Sequence, residues 1–236
     1  MSITQESFHP RLNVKKVGRD SFLVENFLLA EGDVDEAAET LASVDQQVQY
    51  LARDDPRMQF RIYGKSVQLP RDKAVYGEVV VDEEKKERIE PFYKYAKDTP
   101  RVESWDFEDS VFKRMAEQVF VRGGRQVCNH LVVNQYRSGD DYIGDHRDKD
   151  ETFVPGSSVM TISLGAERTL RLKKFKGRKI GKTKSLLLKP GSLFVLGPKT
   201  NAKWKHSIPK SKRVLGRRVS LTFRSIAARR TTSTIQ

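Results

Sequence analysis

Two periodicities divide the chain near residue 127. Before that point, apolar residues recur at helical spacing in two stretches. Across residues 33–52, Val34, Ala37, Ala38, Leu41, Val44 and Val48 fall on one side of a helix, and across 109–120 so do Val111, Phe112, Met115, Val119 and Phe120. Short apolar runs at 22–27 and 60–64 read as strands, the second ending in a turn at Gly64. Residues 1–20 are polar and irregular, and the charge run at 82–90 reads as a solvated loop or insertion. From 127 onward the pattern is almost wholly that of strands, at 127–136, 158–164, 169–173, 185–188, 192–196 and 219–223, with Gly and Pro between them. Helices first and many short antiparallel strands afterwards predict an α+β fold. Its β part is a double-stranded β-helix (jelly roll) with N-terminal helices flanking it.

Composition narrows this picture only a little. A chain of 236 residues with 37% hydrophobic content can build the core of one domain. No run approaches the ~18 apolar residues of a membrane span, and the first residues lack the pattern of a secretory signal. The single cysteine, Cys128, sits in an apolar run and reads as a small buried hydrophobe. An intracellular, reducing compartment is expected, with no membrane partner.

Charge changes the picture more. All 31 acidic residues lie at or before Glu167, alongside 23 Lys and Arg, so that part is net −8. The 69 residues from Arg168 onward hold 21 Lys and Arg and no acid. A segment without carboxylates cannot neutralise itself locally and presents a field that attracts phosphate backbones. Nucleic acid is the expected partner. A membrane surface fits less well, because Gly and Pro break the basic segment and it alternates like strands.

Candidate chemistry lies in three places. In the strand-like run at 218–224, Arg218, Ser220, Thr222 and Arg224 share one face while Val219, Leu221 and Phe223 share the other. Two guanidiniums on a packed face need anions, and a small dicarboxylate would suit their forks. The bland alternative is an edge strand whose polar face meets water or phosphate. Asn134 and Tyr136 share a face of an earlier strand and can both donate to a carboxylate. Finally, His146 and Asp148 stand two apart, and His206 follows 58 positions after Asp148. Two imidazoles and a carboxylate can hold one face of a non-haem Fe(II); the alternative is that the histidines are structural.

In order along the chain, the runs at 134–136, 141–148, 204–209 and 218–224 (Asn134-Gln135-Tyr136, Asp141 to Asp148, Trp204-Lys205-His206-Ser207-Ile208-Pro209, and Arg218 to Arg224) resemble the AlkB family. These are Fe(II)- and 2-oxoglutarate-dependent dioxygenases that oxidatively dealkylate nucleic acids. The resemblance covers about residues 58–226 and is greatest to the eukaryotic type acting on double-stranded DNA. It implies His146, Asp148 and His206 as iron ligands and catalytic residues. Asn134, Tyr136, Arg218, Thr222 and Arg224 would hold 2-oxoglutarate, with Arg218 at its distal carboxylate and Arg224 at the carboxylate near iron. Asp150 matches an acidic position beside the lesion base, where the family often has Glu.

Upstream, Tyr63 corresponds to the bulky hairpin residue that fills the gap left by a flipped base, although Phe is more usual there. Residues 91–95 resemble the lid whose aromatics, here Tyr93 and Tyr95, hold that base; ordinary packing is the plain alternative for both. The charged run at 82–90 departs from the family as an insertion. Lys210, Lys212 and Arg213, with the loop at 173–184, are the expected phosphate grip. The implied reaction demethylates bases of the 1-methyladenine and 3-methylcytosine type in DNA. It uses Fe(II), O2 and 2-oxoglutarate, releases formaldehyde, succinate and CO2, and serves direct-reversal repair in the nucleus by a monomer. The alternatives are an RNA demethylase of the same family and a non-catalytic nucleic-acid-binding module; a sugar-active cupin would need neither the basic half nor the arginine strand. The expected divisions are an N-terminal arm and helical support at 1–57, a nucleotide-recognition lid region at 58–110, the jelly-roll core at 111–228 and a flexible tail at 229–236.

Overall fold

The computed structural model describes residues 3–28, 35–62, 65–93, 102–176 and 179–232. Its strands, numbered β1 to β17 in chain order, form four sheets. The major sheet has eight, in the order Val14–Lys16 (β1), Phe22–Val24 (β2), Leu193–Leu196 (β14), Val159–Gly165 (β11), Arg218–Arg224 (β16), His130–Tyr136 (β9), Asp72–Gly77 (β5) and Glu103–Ser104 (β8). The minor sheet runs Ile143–His146 (β10), Trp204–Ile208 (β15), Arg168–Lys176 (β12) and Lys179–Leu188 (β13). A three-stranded sheet of Ala228–Thr232 (β17), Glu87–Pro91 (β7) and Val80–Asp82 (β6) and a hairpin of Gln59–Ile62 (β3) and Lys65–Gln68 (β4) lie outside the two. This is the expected α+β jelly roll.

Two helices cover the outer face of the major sheet. Glu36–Gln47 (α1) is capped by Asp35, whose carboxylate accepts from Ala38 N, and Val111–Arg122 (α2) by Ser110, which accepts from Lys113 N. The end of α1 holds the start of α2: Gln47 Nε2 donates to Asp109 O at 2.9 Å, and Val111 N donates to Gln47 Oε1 at 2.8 Å. Val44, Phe112, Met115 and Val119 then bury against Leu131, Val133, Met160, Ile162, Leu221 and Phe223. Each large side chain there contributes roughly 1.5–3 kcal/mol of transfer free energy.

A second apolar cluster fills the space between the two sheets, with Leu23, Val159, Leu170, Leu172, Leu188, Phe194, Leu196 and Ile208. The period-2 alternation of β9 and β16 makes one face of each strand part of the helix-covered core. The other face, Asn134 and Tyr136 opposite Ser220 and Arg218, turns into this interior.

Several expected elements differ. The strand expected from 127 begins at His130, and Val127 is 66% exposed. The irregular N-terminus contains β1, paired with β2. The charged run at 82–90 is a hairpin, β6 with β7, turning through Lys86 at φ 51. The tail expected to be flexible from 229 is a strand through Thr232, antiparallel to β7. The arm and lid segments are not set apart from the core either, since 1–57 supplies β1 and β2 to the major sheet and 58–110 supplies β5 and β8. Backbone pairing decides these outcomes, with a near neighbour for β1 and for the 82–90 hairpin and with a distant strand for β17, β5 and β8, and local polarity does not reveal it.

Candidate active site

All seven residues of β16 are buried, which fixes the fate of its polar row. Arg218 is 1% exposed; it donates from Nη2 to Ser163 Oγ at 2.9 Å and lies over the Tyr136 ring at 5.3 Å. Its Nε has no hydrogen-bond partner among the described residues. Burial pushes this guanidinium down to about 10, and nearby Arg168 adds to the effect. Arg224, at the other end of the row, donates from Nη2 to Asp148 Oδ1 at 2.7 Å and lies over the Tyr93 ring.

The metal-type residues converge from two strands and one loop. β10 and β15 pair so that His146 stands directly opposite His206, with ring centroids 4.1 Å apart. Gly144 O bonds His146 Nδ1 at 2.9 Å, a carbonyl partner of the kind that orients a metal-binding imidazole and leaves Nε2 free to ligate. His206 Nε2 lies 3.5 Å from Asp148 Oδ2, the carboxylate oxygen that Arg224 does not hold.

Burial drives His206 down to about 3, with His146 beside it adding to the shift, and burial lowers His146 as well. Burial would raise Asp148, but Arg224, His206 and His146 outweigh it and hold the carboxyl well below the usual range. Two neutral imidazoles and one ionised carboxylate are the donor set of a divalent metal. Among the described residues no three such groups already stand at finished ligand geometry. The fit therefore rests on this donor chemistry and on the buried, unpartnered Nδ1 of His206.

A cavity of about 90 Å³ joins the parts. Its lining includes Asn134, Tyr136, Arg218, Thr222 and Arg224 along with His146, Asp148 and His206. The dicarboxylate residues and the metal-type residues expected from sequence thus share one space.

A description of 2OG-Fe(II) oxygenases fits residues 22–224 as a family match, more of the chain than the four motifs span. The chain belongs to the 2OG-Fe(II) oxygenase superfamily. Membership brings the expected Fe(II), 2-oxoglutarate and O2, and the residues above are suited to the first two. The AlkB resemblance holds within this superfamily. The chain is 33% identical over 196 residues to the mouse (Mus musculus) DNA oxidative demethylase ALKBH2, covering 81% of this chain and 75% of that protein. It is 29% identical to the Arabidopsis thaliana protein of the same name, over 75% of this chain and 60% of the other. Among solved structures, that of OsALKBH1 superposes with a TM-score of 0.52 at 15% identity, covering 90% of this chain and 100% of that one, a likeness of fold.

The other expected residues of this superfamily member lie around the cavity or away from it. Tyr93 is 6% exposed and packs on His130, Phe153 and Arg224; burial pushes its hydroxyl up to about 12. Asp150 is exposed and lines a neighbouring cavity of about 330 Å³, which shares Val159 and Leu196 with the first. Lys210, Lys212 and Arg213 are exposed on the loop after β15, away from the metal pocket. That loop is fixed by Gly139 N donating to Val214 O and Ser211 N to Gly139 O, both at 2.8 Å. Tyr63 and Tyr95 lie outside the described residues.

Sequence reasoning missed four polar residues here. Arg71 donates from Nε to Asn134 Oδ1 at 2.9 Å and from Nη1 to Tyr142 O at 3.4 Å. Lys73 is 5% exposed, and burial, with Arg71 next, lowers its ammonium to about 7. Arg168 donates to the carbonyls of Ser138, Asp141 and Pro209, tying three loops together. His130 is fully buried beside Tyr93, and neither ring nitrogen has a partner among the described residues. Arg168 alone had a signal, since it shares the face of Leu170 and Leu172 in an alternating strand.

Proposed function

We propose that this oxygenase oxidatively demethylates bases of the 1-methyladenine and 3-methylcytosine type in DNA, releasing formaldehyde, succinate and CO2. The observation that carries the reading is the 2.7 Å contact of Arg224 with Asp148, which joins the arginine row of β16 to the metal triad. The similarity to proteins named DNA oxidative demethylase supports DNA as the substrate.

His146, Asp148 and His206 would hold Fe(II). Arg218, Asn134, Tyr136, Thr222 and Arg224 would hold 2-oxoglutarate, with Arg218 taking the carboxylate far from the metal. Bound Fe(II) would supply activation of dioxygen coupled to the decarboxylation of 2-oxoglutarate. The protein's own share is to keep both imidazoles neutral, hold Asp148 ionised through Arg224 and exclude bulk water with the closed apolar wall between the sheets. A methylated Watson–Crick nitrogen is unreachable inside a duplex, so the base must leave the stack. Tyr93, Tyr95 and Asp150 would receive it, Tyr63 would fill the gap, and Lys210, Lys212, Arg213 and the β12–β13 hairpin would grip phosphates. Double-stranded DNA as the preferred form, a nuclear location and a monomeric state belong to the same proposal. No helix among the described residues is long and apolar enough to cross a membrane.

The test incubates the protein with Fe(II), 2-oxoglutarate and methylated oligonucleotides as duplex DNA, single-stranded DNA and RNA, and reads product mass. Loss of 14 Da per lesion (about one methylene equivalent) in the DNA forms is expected. Turnover of RNA alone would replace the substrate, and no succinate in any arm would leave a binding module. His146→Ala is expected to abolish turnover yet retain much DNA affinity, because phosphate contacts dominate binding. Full demethylation by that variant would remove His146 from the ligand set.

A further inference from the structure

The peptide that carries Asp148 is held by a side chain from another part of the chain. Asp148 N donates to Asn201 Oδ1 at 3.1 Å, and Asn201 Nδ2 donates back to Asp148 O at 3.0 Å. This reciprocal pair fixes the backbone on both sides of the Asp148 Cα, and both residues are buried. Arg147 reinforces it from the preceding position, donating from Nη1 to Ala202 O at 2.9 Å.

Asn201 ends a four-residue helix, Pro198–Asn201 (α3), far too short to be stable by itself. What holds α3 is the turn before β2. The Asp20 carboxylate accepts from Lys199 N at 2.7 Å, Thr200 N at 2.9 Å and Thr200 Oγ1 at 2.7 Å. Ser21 Oγ accepts from Gly197 N at 3.0 Å. The fit is close: a Cβ on Gly197 would lie 2.1 Å from Asp20 O, and one on Gly18 2.5 Å from Thr200 Oγ1. Pairing of β2 with β14 sets this juxtaposition, because Ser21 leads into one strand and Gly197 leaves the other.

From these contacts we infer that Asn201 is a positioning residue for the Asp148 ligand, and that Asp20 acts through it at one remove. The inference rests on the assignment of Asp148 to the metal. Asp148 is then held in two independent ways. Arg224 holds its carboxylate and also belongs to the 2-oxoglutarate row, whereas Asn201 holds only its backbone. Loss of the second hold lets the peptide rotate and spreads the Oδ2 position relative to His146 and His206, which weakens the metal without touching the dicarboxylate pocket. The N-terminal segment therefore takes part in metal binding although none of its described residues lines the cavity.

The test titrates the full chain with Co(II), followed by visible absorption, and separately with 2-oxoglutarate by thermal shift. Asn201→Ala is expected to weaken Co(II) about 10- to 100-fold, the usual range for outer partners of a metal ligand, with the 2-oxoglutarate shift retained. Asp20→Ala should lower Co(II) affinity in the same direction. Asp20→Asn, which keeps an accepting oxygen, should recover part of the loss. A purely structural role would lower the melting temperature in these variants while leaving the Co(II) isotherm within twofold of the parent, and that result overturns the inference. Asp148→Ala serves as the control. If it binds Co(II) as the parent does, the ligand assignment itself fails and the inference with it; if it does not bind while Asn201→Ala binds normally, only the positioning role fails.

Discussion

Replacing Arg218 with Met should make the ligand-free protein more stable and deprive it of its response to 2-oxoglutarate. Arg218 is 1% exposed, and burial drives its guanidinium below the ordinary value, to about 10. At 1.36 kcal/mol per unit, holding that charge inside costs about 3 kcal/mol relative to a neutral group. Met fills the space of the aliphatic stem and removes the charge, at the expense of leaving Ser163 Oγ without its 2.9 Å donor, a loss of about 1 kcal/mol. The net gain is roughly 2 kcal/mol, or about 4–8 °C for a domain of this size.

With 2-oxoglutarate at a hundred times its dissociation constant, the parent gains about 2.7 kcal/mol by mass action. Loss of a charge-assisted fork removes about 3 kcal/mol of that binding, so at the same concentration the variant gains only a few tenths. The two melting curves should therefore lie apart without ligand and nearly coincide with it. Scanning calorimetry at two ligand concentrations reads both quantities. A ligand-free variant that melts lower than the parent would show that the buried cation is not a cost. A preserved 2-oxoglutarate shift would show that the cosubstrate does not sit on β16.

His130→Phe should also stabilise, since it removes two buried nitrogens that lack partners, and the gain should grow in acid. Burial holds the folded imidazole well below 6.5, with Arg224 and Lys73 adding to it, so the unfolded chain binds the proton first as pH falls through 6.5. Urea melts should therefore show the variant's advantage rising by about 1.4 kcal/mol between pH 7.5 and 5.5, and parallel pH profiles would contradict this. Gly139→Ala should displace the basic loop, because a Cβ there would lie 1.8 Å from Ser211 O and 2.7 Å from Val214 O; DNA affinity should fall in a binding titration while the 2-oxoglutarate shift persists. Converting Lys210, Lys212 and Arg213 together to Gln should flatten the salt dependence of duplex binding by nearly three log units per log unit of salt, with the 2-oxoglutarate thermal shift unaffected by the change.

The residues that were legible from sequence share one property: their environment follows from a local rule. Period-2 alternation placed Arg218, Ser220, Thr222 and Arg224 on one face, and burial of the opposite face of β16 then left them no choice but the interior. The 58 positions between Asp148 and His206 leave room for strands to return the chain to one place, but the pairing that sets His146 opposite His206 is a long-range feature that the family resemblance, not a local rule, anticipated. What was not legible depends on turns without a signature residue or on partners far away in sequence. Lys86 takes a left-handed turn without being Gly or Asn, so the 82–90 hairpin carries no turn signature. Arg229 and Arg230 read as a tail because only β7, whose Glu90 and Ile89 stand opposite them from far earlier in the chain, makes them a strand. Arg71 and Lys73 look like solvent residues until β5 is seen between β9 and β8.

The charge asymmetry acquires a second meaning inside the fold. Arg168, Arg218 and Arg224 are buried in the acid-free half, and Lys73 of β5 and Arg71 just before it are buried as well. Facing them, Asp148 is buried and ionised, but it is already committed to Arg224. Arg168 donates to three loop carbonyls and Arg224 is paired with Asp148, which leaves Arg218, with hydroxyl partners and no carboxylate, as the least compensated of the three cations. A chain selected only for stability could replace it with an apolar residue, as buried charges in other proteins can be replaced without loss. Its retention in a packed strand is explained if a dicarboxylate supplies the missing charge from outside. Lys173 pairs with Asp145, while among the described residues no ion pair engages Lys174, Lys179 or Lys182 of the β12–β13 hairpin, which suits the proposed contact with phosphate. On the proposed reading, one compositional bias would serve two anions: a small one held between the sheets and a polymeric one held against their outer surface.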